Sequence, residues 1–260
     1  MKLVERFASV VTSATNTEIR TDVTLASRLV LSQTGSLVVS YAPFEHIQNG
    51  AKVVIVGITP GEQQARNALL EFRHQLLLGM DHATALSKAK VFASFSGPMR
   101  TNLVAMLDHI GLHRWAGLKS VAELWTSRSD LVHFTSALRY PVFVNGKNYS
   151  GQPSMTATPS LRELLASCLT EEALALPNAV WIPLGPTATA GVEWVIQQGT
   201  LKRDNVLIGL PHPSGASGER IKYFLGQKNK SDLSIKTEPI RLDAARERLT
   251  AQIITLCSAG

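Results

Sequence analysis

Three short segments of this sequence place reactive or aromatic side chains beside glycine and proline. His212 lies between two prolines, and each proline fixes its own φ and restricts the residue before it, so the imidazole is held rigidly. The segment Gly57–Glu62 (GITPGE) predicts a Pro-Gly turn whose backbone N–H groups can bind an anion or a carbonyl oxygen. Phe95 lies on a loop before a helical pattern, where an aromatic ring can stack on a base. Each segment alone is also typical of a purely structural turn.

Four short apolar runs predict the strands of a parallel sheet. They are nearly continuous, rich in β-branched residues and followed by turn residues, as is typical of strands that are buried on both faces. The runs are Val53–Gly57, Leu131–Ser136, Ala179–Leu184 and Val206–Leu210. In such sheets ligands bind outside the carboxyl ends of the strands. We therefore expect the functional residues in the loops that follow these four runs.

Apolar residues at helical spacing predict helices between and after these runs. Strands that alternate with helices predict one domain over residues 1–260, with three α/β/α layers and a central, mostly parallel four-stranded sheet. The polar, turn-rich stretches Asn145–Thr158 and Pro211–Lys236 are predicted to be loops, and the first 45 residues match no pattern. The predicted helices are Glu62–Leu78, Thr101–Gly111, Pro159–Leu169, Thr187–Gln197 and Leu242–Leu256.

The composition excludes several classes of protein. With 45% hydrophobic and 18% charged residues, the chain can bury a sizeable core and is not wholly disordered. It has no long apolar run and no secretory signal pattern, so we expect a cytoplasmic protein that does not bind membranes. Two cysteines, Cys168 and Cys257, are too few for a disulfide framework, a four-cysteine zinc site or an iron–sulfur cluster. We expect no metal and no cofactor, while the net charge of +6 permits a polyanionic partner.

The set and order of five segments resembles the uracil-DNA glycosylase superfamily, in particular its family 4 enzymes. VVIVGITPGEQQA looks like the first motif, a strand that ends in G-x-x-P-G, and GLPHPSGAS looks like the second motif, H-P-S. FSGPMRTNLVAMLDHIGL, LVHFTSALRYPV and AVWIPLGPTATAGV are similar to the segments that lie between these motifs in family 4. Together the five segments span roughly residues 50–220.

The resemblance implies a monofunctional DNA glycosylase, which flips a nucleotide into a pocket, hydrolyses its N-glycosidic bond and leaves an abasic site. His212 would stabilise the charge that develops on the departing base. Phe95 would stack on that base, while the turn that contains Gly57, Pro60 and Gly61 would present backbone amides to the base edge or place the water. The expected contacts to single- or double-stranded DNA are Ser214, Gly215, Ala216, Arg220, Lys222 and Arg100.

The sequence departs from the family pattern at Thr59, Ser136 and Tyr140. Thr59 stands where the family commonly has Asp or Asn, and a hydroxyl can position a water but cannot act as a general base near pH 7. Glu62 is the nearest carboxylate that can, although the helix dipole also favours an acidic residue there. Ser136 stands at the base-reading Asn and offers only one rotating hydroxyl. Tyr140 occupies the position of an iron–sulfur cysteine, so the cluster of family 4 is not expected.

Two of these changes affect the expected substrate. Thr59 and Ser136 replace groups that would read uracil, and a site that loses a hydrogen-bonding reader loses discrimination by orders of magnitude. Ser136 is also smaller than Asn and leaves room for a bulkier base. We therefore expect a modified pyrimidine, such as the glucosylated hydroxymethylcytosine of some phage DNAs, as in superfamily members that act in phage defence. Polar residues of the loop Asn145–Thr158 would contact the sugar.

Three other functions stay open at this point. The first is a uracil-DNA glycosylase of base excision repair. The second is a relative that has lost catalysis and only binds nucleic acid. Thr59 supports this alternative, because with a threonine at that position the first motif has no carboxylate. The third is an unrelated α/β enzyme that acts on a nucleotide or nucleoside, which would show no salt-dependent affinity for DNA.

Overall fold

The structure is a computed structural model that describes residues 2–259, and it is a mixed α/β fold. Its strands are β1 (Val30–Thr34), β2 (Leu37–Ser40), β3 (Val53–Gly57), β4 (Val132–Ser136), β5 (Val142–Val144), β6 (Lys147–Asn148) and β7 (Val180–Pro183). Its helices are α1 (Leu3–Ser13), α2 (Asn16–Thr21), α3 (Glu62–Leu77), α4 (His82–Ala93), α5 (Pro98–His109), α6 (Leu112–Trp115), α7 (Pro159–Leu164), α8 (Thr170–Ala175), α9 (Gly185–Gln197), α10 (Gly218–Phe224) and α11 (Pro239–Ala259).

The parallel sheet has three strands in the order β4-β3-β7. All three were predicted from apolar runs, and their residues are buried along their whole length. The predicted fourth strand, Val206–Leu210, is wrong: among the described residues it makes one parallel bridge, between Val206 and Trp181. The chain then turns away, because Gly209 has a φ of +131° and packs against Ala245 of α11. The coarse α/β prediction is confirmed, but a four-stranded sheet is not.

A second, antiparallel sheet with the order β1-β2-β5-β6 was not predicted. The first 45 residues, which gave no sequence signal, contribute α1, α2, β1 and β2 to the fold. The predicted loop Asn145–Thr158 begins with a tight hairpin that joins β5 to β6. Asn145 and Gly146 both have positive φ there, at 51° and 72°, as the common two-residue hairpin turn requires.

Apolar cores cover both faces of the parallel sheet, because its side chains alternate between the faces. Val54 and Val56 of β3 belong to a core that includes side chains of α1, α3, α4 and α9. Val53 and Ile55 belong to a second core, formed with α5, α10 and α11. Helices therefore lie on both sides of the sheet, and the carboxyl ends of its strands remain at one edge. None of the helices within residues 2–259 is long and apolar enough to cross a membrane.

The helix predictions are accurate where the apolar stripe is long. The segment Glu62–Leu78 forms α3, and Gly111 takes the left-handed conformation that was expected after α5, with a φ of +86°. The segment Pro159–Leu169 starts as predicted, but continues through a π-helical turn into α8. The prediction of Pro211–Lys236 as a loop is wrong in part, because α10 lies within it.

Candidate active site at the carboxyl edge of the parallel sheet

Gly57, Ser136 and Phe95 meet at the carboxyl edge of the sheet. Gly57 ends β3 and lies directly opposite Ser136, the last residue of β4. A Cβ atom on Gly57 would lie 3.2 Å from the Ser136 Oγ and 3.4 Å from the Phe95 Cε1. A side chain at position 57 would therefore crowd Ser136 and Phe95, and the structure brings these three predicted residues together.

A small cavity lies beside this cluster and has a volume of about 10 Å³. That volume is roughly enough for one water molecule, so a pyrimidine enters only if the walls move. Pro60 and Ser136 contribute to its wall, as the sequence predicted for base-binding residues. The cavity is lined by Phe44, Pro60, Gln64, Ser94, Phe95, Phe134, Thr135, Ser136 and Arg139.

Phe95 is buried in the wall of the cavity. Its ring contacts Phe134 edge-on, with 6.1 Å between the ring centroids. Its backbone has a φ of +50°, which is an uncommon and strained conformation for a bulky residue. Strain of this kind concentrates at ligand-binding and switch regions. Phe95 is therefore the wall residue whose backbone stores strain next to the predicted site.

The loop around His212 fixes the tautomer of its neutral ring, and burial favours that neutral form. The backbone N–H of Ser214 donates a hydrogen bond to the His212 Nδ1 over 3.3 Å, so the ring proton of the neutral form lies on Nε2. Burial lowers the pKa of His212 below its ordinary value of 6.5. At neutral pH the side chain is therefore a neutral imidazole whose Nε2–H can donate a hydrogen bond.

Two contacts tie the His212 loop to the sheet edge and to the loop that carries Phe95. The Asn102 side chain, on the first turns of α5, donates to the Pro213 carbonyl oxygen over 2.9 Å. A Cβ atom on Gly185, where β7 passes into α9, would lie 3.1 Å from the Cβ of His212. The histidine is thus fixed at the edge formed by the ends of the parallel strands.

Thr59 does not have the free hydroxyl that the sequence analysis assumed. Its Oγ1 donates to the Tyr140 carbonyl oxygen over 2.8 Å and accepts the Val142 N–H over 3.2 Å. Both contacts join the turn after β3 to the segment before β5. The prediction that Thr59 places the water is therefore corrected, because its proton already serves a structural hydrogen bond.

Glu62 lies at the start of α3, after Gly61, and about half of its side chain is exposed. Its Oε1 forms an ion pair with Arg66, one turn later, over 2.5 Å. Its backbone N–H donates to the Asn148 Oδ1 over 2.9 Å, so the β5–β6 hairpin contacts the helix start. The second carboxylate oxygen of Glu62 makes no hydrogen bond within residues 2–259, which leaves one oxygen for a water.

The predicted DNA contacts differ in their exposure and in the hydrogen bonds that they make. Gly215, Ala216, Arg220 and Lys222 are exposed, and Ser214 is half-buried. Arg100 is engaged instead: its guanidinium donates to the carbonyl oxygens of Phe92 and Ser94 and lies 5.4 Å from the Trp125 ring centroid. Burial also lowers the pKa of Arg100. Arg100 is thus a residue that holds the Phe95 loop, and its prediction as a phosphate contact is corrected.

The sequence analysis missed a buried group of charged side chains behind the cavity. Glu172 is fully buried, and its Oε1 lies 2.8 Å from the Arg139 Nε and 3.9 Å from the Lys90 Nζ. Its Oε2 lies 3.5 Å from the Nε2 of buried His133. Burial alone would raise the pKa of Glu172, but the charges of Arg139 and Lys90 hold it far below its ordinary value. Arg139 also lines the cavity, so this group supports the cavity wall.

One signal for this group was available in the sequence. Arg139 lies in the segment LVHFTSALRYPV, directly before Tyr140, and is a charge within an apolar run. Glu172 gave no signal, because nothing in the segment Thr170–Ala175 distinguishes it from an exposed helical glutamate. Burial of Lys90, which lowers its pKa to about 8, depends on α4, a helix that was not predicted.

Comparisons with known proteins give one informative relative. No family model matches the chain, and no solved structure matches it. A protein of Bacillus subtilis (strain 168), named uncharacterized protein YoxB, is 37% identical over 221 residues, which cover 84% of this chain and 86% of YoxB. The aligned part is long enough to include nearly the whole fold described above. The chain therefore belongs to the same protein family as YoxB of Bacillus subtilis.

Proposed function

We propose that this protein is a monofunctional DNA glycosylase, which hydrolyses the N-glycosidic bond of a modified pyrimidine and leaves an abasic site. The observation that carries the proposal is the neutral, Nε2-protonated His212 at the same carboxyl edge of the sheet as the contact of Gly57 with Ser136 and Phe95. The resemblance of five ordered segments to the uracil-DNA glycosylase superfamily supports the same reaction and a sheet-edge site.

His212 has the form that base departure requires. When the N-glycosidic bond breaks, the base leaves with negative charge on its carbonyl oxygens. A positioned N–H donor in a partly buried site stabilises that charge and needs no reorganisation during the reaction. The Ser214 N–H keeps the His212 proton on Nε2, so the donor is present throughout the neutral pH range.

In this proposal Glu62 activates the water, because the Thr59 hydroxyl already donates its proton to the Tyr140 carbonyl oxygen. The Glu62 carboxylate keeps one oxygen without a hydrogen bond inside the described part of the chain. Glu62 is the first residue of α3, and the turn that follows Gly57 leads directly into it. Its other carboxylate oxygen pairs with Arg66, one turn later in the helix.

The surroundings of Gly61 support a substituted base. Gly61 carries no side chain, and a Cβ atom there would lie 3.5 Å from the Asn148 Nδ2. Asn148 and Lys147 are exposed on the β5–β6 hairpin and can donate hydrogen bonds to a hydroxylated substituent. Ser136 leaves more room than an asparagine at the same position. In this proposal the walls of the cavity move to admit a glucosylated hydroxymethylcytosine, and these small and polar neighbours contact its substituent.

The substrate is tested with a panel of oligonucleotides. Each carries one uracil, hydroxymethylcytosine, glucosylated hydroxymethylcytosine or ordinary cytosine, in single- and double-stranded form, and abasic sites are revealed by alkaline cleavage. We expect cleavage only with a modified cytosine. Cleavage of uracil DNA alone would retain the glycosylase and contradict the substrate proposal.

A second candidate, a nucleic-acid-binding protein without catalysis, is favoured by one observation. The cavity of about 10 Å³ holds no base in this conformation. Such a protein would bind DNA with an affinity that falls steeply with salt, yet would produce no abasic sites on any member of the panel.

The pH dependence of base release is a prediction of the proposal. Because burial lowers the pKa of His212 below 6.5, we expect the rate to stay constant from mildly alkaline pH down through pH 6.5 and to fall only at lower pH. Protonation of Nδ1 then replaces the hydrogen bond from Ser214 with a clash of two N–H groups. Single-turnover rates measured across this pH range test the prediction, and a midpoint above pH 6.5 would contradict it.

Substitution of Gly57 tests whether the cavity is the base pocket. Gly57→Ala adds a methyl group at 3.2 Å from the Ser136 Oγ, so we expect base release to slow by at least about tenfold, while the added crowding lowers the free energy of unfolding by about 1–3 kcal/mol. Gly50→Ala is the matched control, since its nearest neighbours lie at 3.9 Å. Equal rates of base release for Gly57→Ala and Gly50→Ala would contradict a place for Gly57 in the base pocket.

A further inference from the structure

A groove of about 700 Å³ begins at His212, and the residues that line the rest of it have no role in the proposed chemistry. Ile58, Gly185 and His212 form its end at the sheet edge, and residues of α9, α10 and α11 form its sides. This volume lies within the range of pockets that hold small ligands or short polymer segments. The groove therefore has room for a ligand that continues from the His212 loop.

The lining of the groove favours an anion. Its basic residues are Arg220, Lys236, Arg241 and Arg248, and its acidic residues are Glu193 and Glu238. Glu193 is already paired with Arg203, outside the groove. The side chains of Lys236 and Arg241 are exposed and make no hydrogen bond or ion pair with any residue that the structure describes. The groove thus contains two cationic side chains, Lys236 and Arg241, that have no hydrogen-bond or ion-pair partner among the described residues.

The same lining disfavours a base or a sugar. Bases and sugars are commonly recognised by stacking on aromatic side chains, and the groove is lined by no aromatic residue other than the His212 ring, within the described chain. We therefore do not expect the groove to bind the substituent of a modified base.

The basic side of the groove is held in shape by hydrogen bonds. Arg220 donates to the Lys236 carbonyl oxygen over 3.1 Å, and Glu219 accepts hydrogen bonds from Ser234 and Thr237. The Tyr223 hydroxyl donates to Asp243 over 2.8 Å and joins α10 to α11. These contacts fix the backbone of the loop between α10 and α11, from which the Lys236 side chain extends.

We propose that this groove binds the phosphodiester backbone of the DNA strand beside the flipped nucleotide, with Lys236 and Arg241 as phosphate ligands. The part of this proposal that concerns a flipped nucleotide rests on the proposed function, but the contact to the DNA backbone does not depend on it. Lys236 and Arg241 lie after residue 220, outside the region that resembles the glycosylase superfamily, so the resemblance did not assign them.

The test is the salt dependence of DNA binding by the Lys236→Ala/Arg241→Ala double variant. The probe is a fluorescent oligonucleotide of ordinary sequence, which contains no substrate base, and anisotropy is followed over a series of salt concentrations. Each lost phosphate contact lowers the slope of log affinity against log salt by about 0.7–0.9, so we expect a decrease of about 1.4–1.8. Arg20→Ala/Lys119→Ala is the matched control, because it removes the same charges from exposed sites away from the groove.

The result is independent of base excision. A decreased slope in the groove variant and an unchanged slope in the control would support the proposal, even if no substrate base is found. Equal slopes in the two double variants would overturn it. It would also be overturned if the groove variant lost excision of a glucosylated base while its binding to ordinary DNA stayed the same.

Discussion

His212→Ala is expected to lower the rate of base release by about 10²–10³-fold, the usual loss when one preorganised donor is removed from a charge-stabilising site. The Nε2–H of the neutral ring is the donor that the structure fixes, through the hydrogen bond from the Ser214 N–H to Nδ1. Because the departing base gains charge only as the bond breaks, the loss falls on the chemical step rather than on DNA binding. Single-turnover rates and binding affinities, measured on the same modified oligonucleotide, separate these two effects.

The control for this variant is His109→Ala. His109 lies on α5 and packs near Phe224, with 6.0 Å between the ring centroids, away from the sheet edge. We expect it to release base at nearly the wild-type rate. If His212→Ala and His109→Ala behaved alike, His212 would have no part in the chemistry.

Glu172→Gln is expected to lower the free energy of unfolding by about 3–5 kcal/mol, the usual cost of removing one partner from a buried ion pair. The substitution keeps the shape of the side chain, so the loss comes from charge: buried Arg139 and Lys90 would keep their positive charges without the carboxylate that lies between them. Chemical denaturation followed by circular dichroism measures this change.

Glu171→Gln is the matched control. Glu171 also pairs with Arg139, over 2.8 Å, but 57% of its side chain is exposed, so we expect a change within about 1 kcal/mol. Equal destabilisation by both variants would contradict the account of the buried group.

The two variants also differ in their response to acid. The pKa of Glu172 is lowered in the folded protein, so its contribution to stability is present above its ordinary pKa of 4.5 and is lost as the pH falls below that value. Glu172→Gln lacks this group and should lose less stability over the same range than the wild type.

The sequence predicted the elements whose signals are local. The strands β3, β4 and β7 followed from continuous apolar runs, and α3 followed from its long stripe. The run Val206–Leu210 has the same composition, but Gly209 turns the backbone against Ala245, a contact that no local pattern encodes. The short α10 and the two-residue β6 were missed because their segments are polar and rich in turn residues.

The same distinction applies to the site. Gly57 and Ser136 were predicted together because parallel strands must end at one edge, whereas Phe95 was added to them by the resemblance. The role of Thr59 depends on Tyr140, which is 81 positions away, and the role of Arg100 depends on which carbonyl oxygens the Phe95 loop exposes. Both side chains form hydrogen bonds that exist only in the folded chain. Residue type alone therefore could not distinguish a free functional group from one that is already engaged.

The most direct test of the central claim is the release of a free base from DNA with one glucosylated hydroxymethylcytosine, identified by mass spectrometry beside the remaining strand. We predict equal amounts of free modified base and abasic strand with the wild-type protein, and formation of both products about 10²–10³-fold more slowly with His212→Ala. Recovery of the intact modified strand after prolonged incubation, with the protein bound to it, would contradict the claim that this sheet edge is a glycosylase active site.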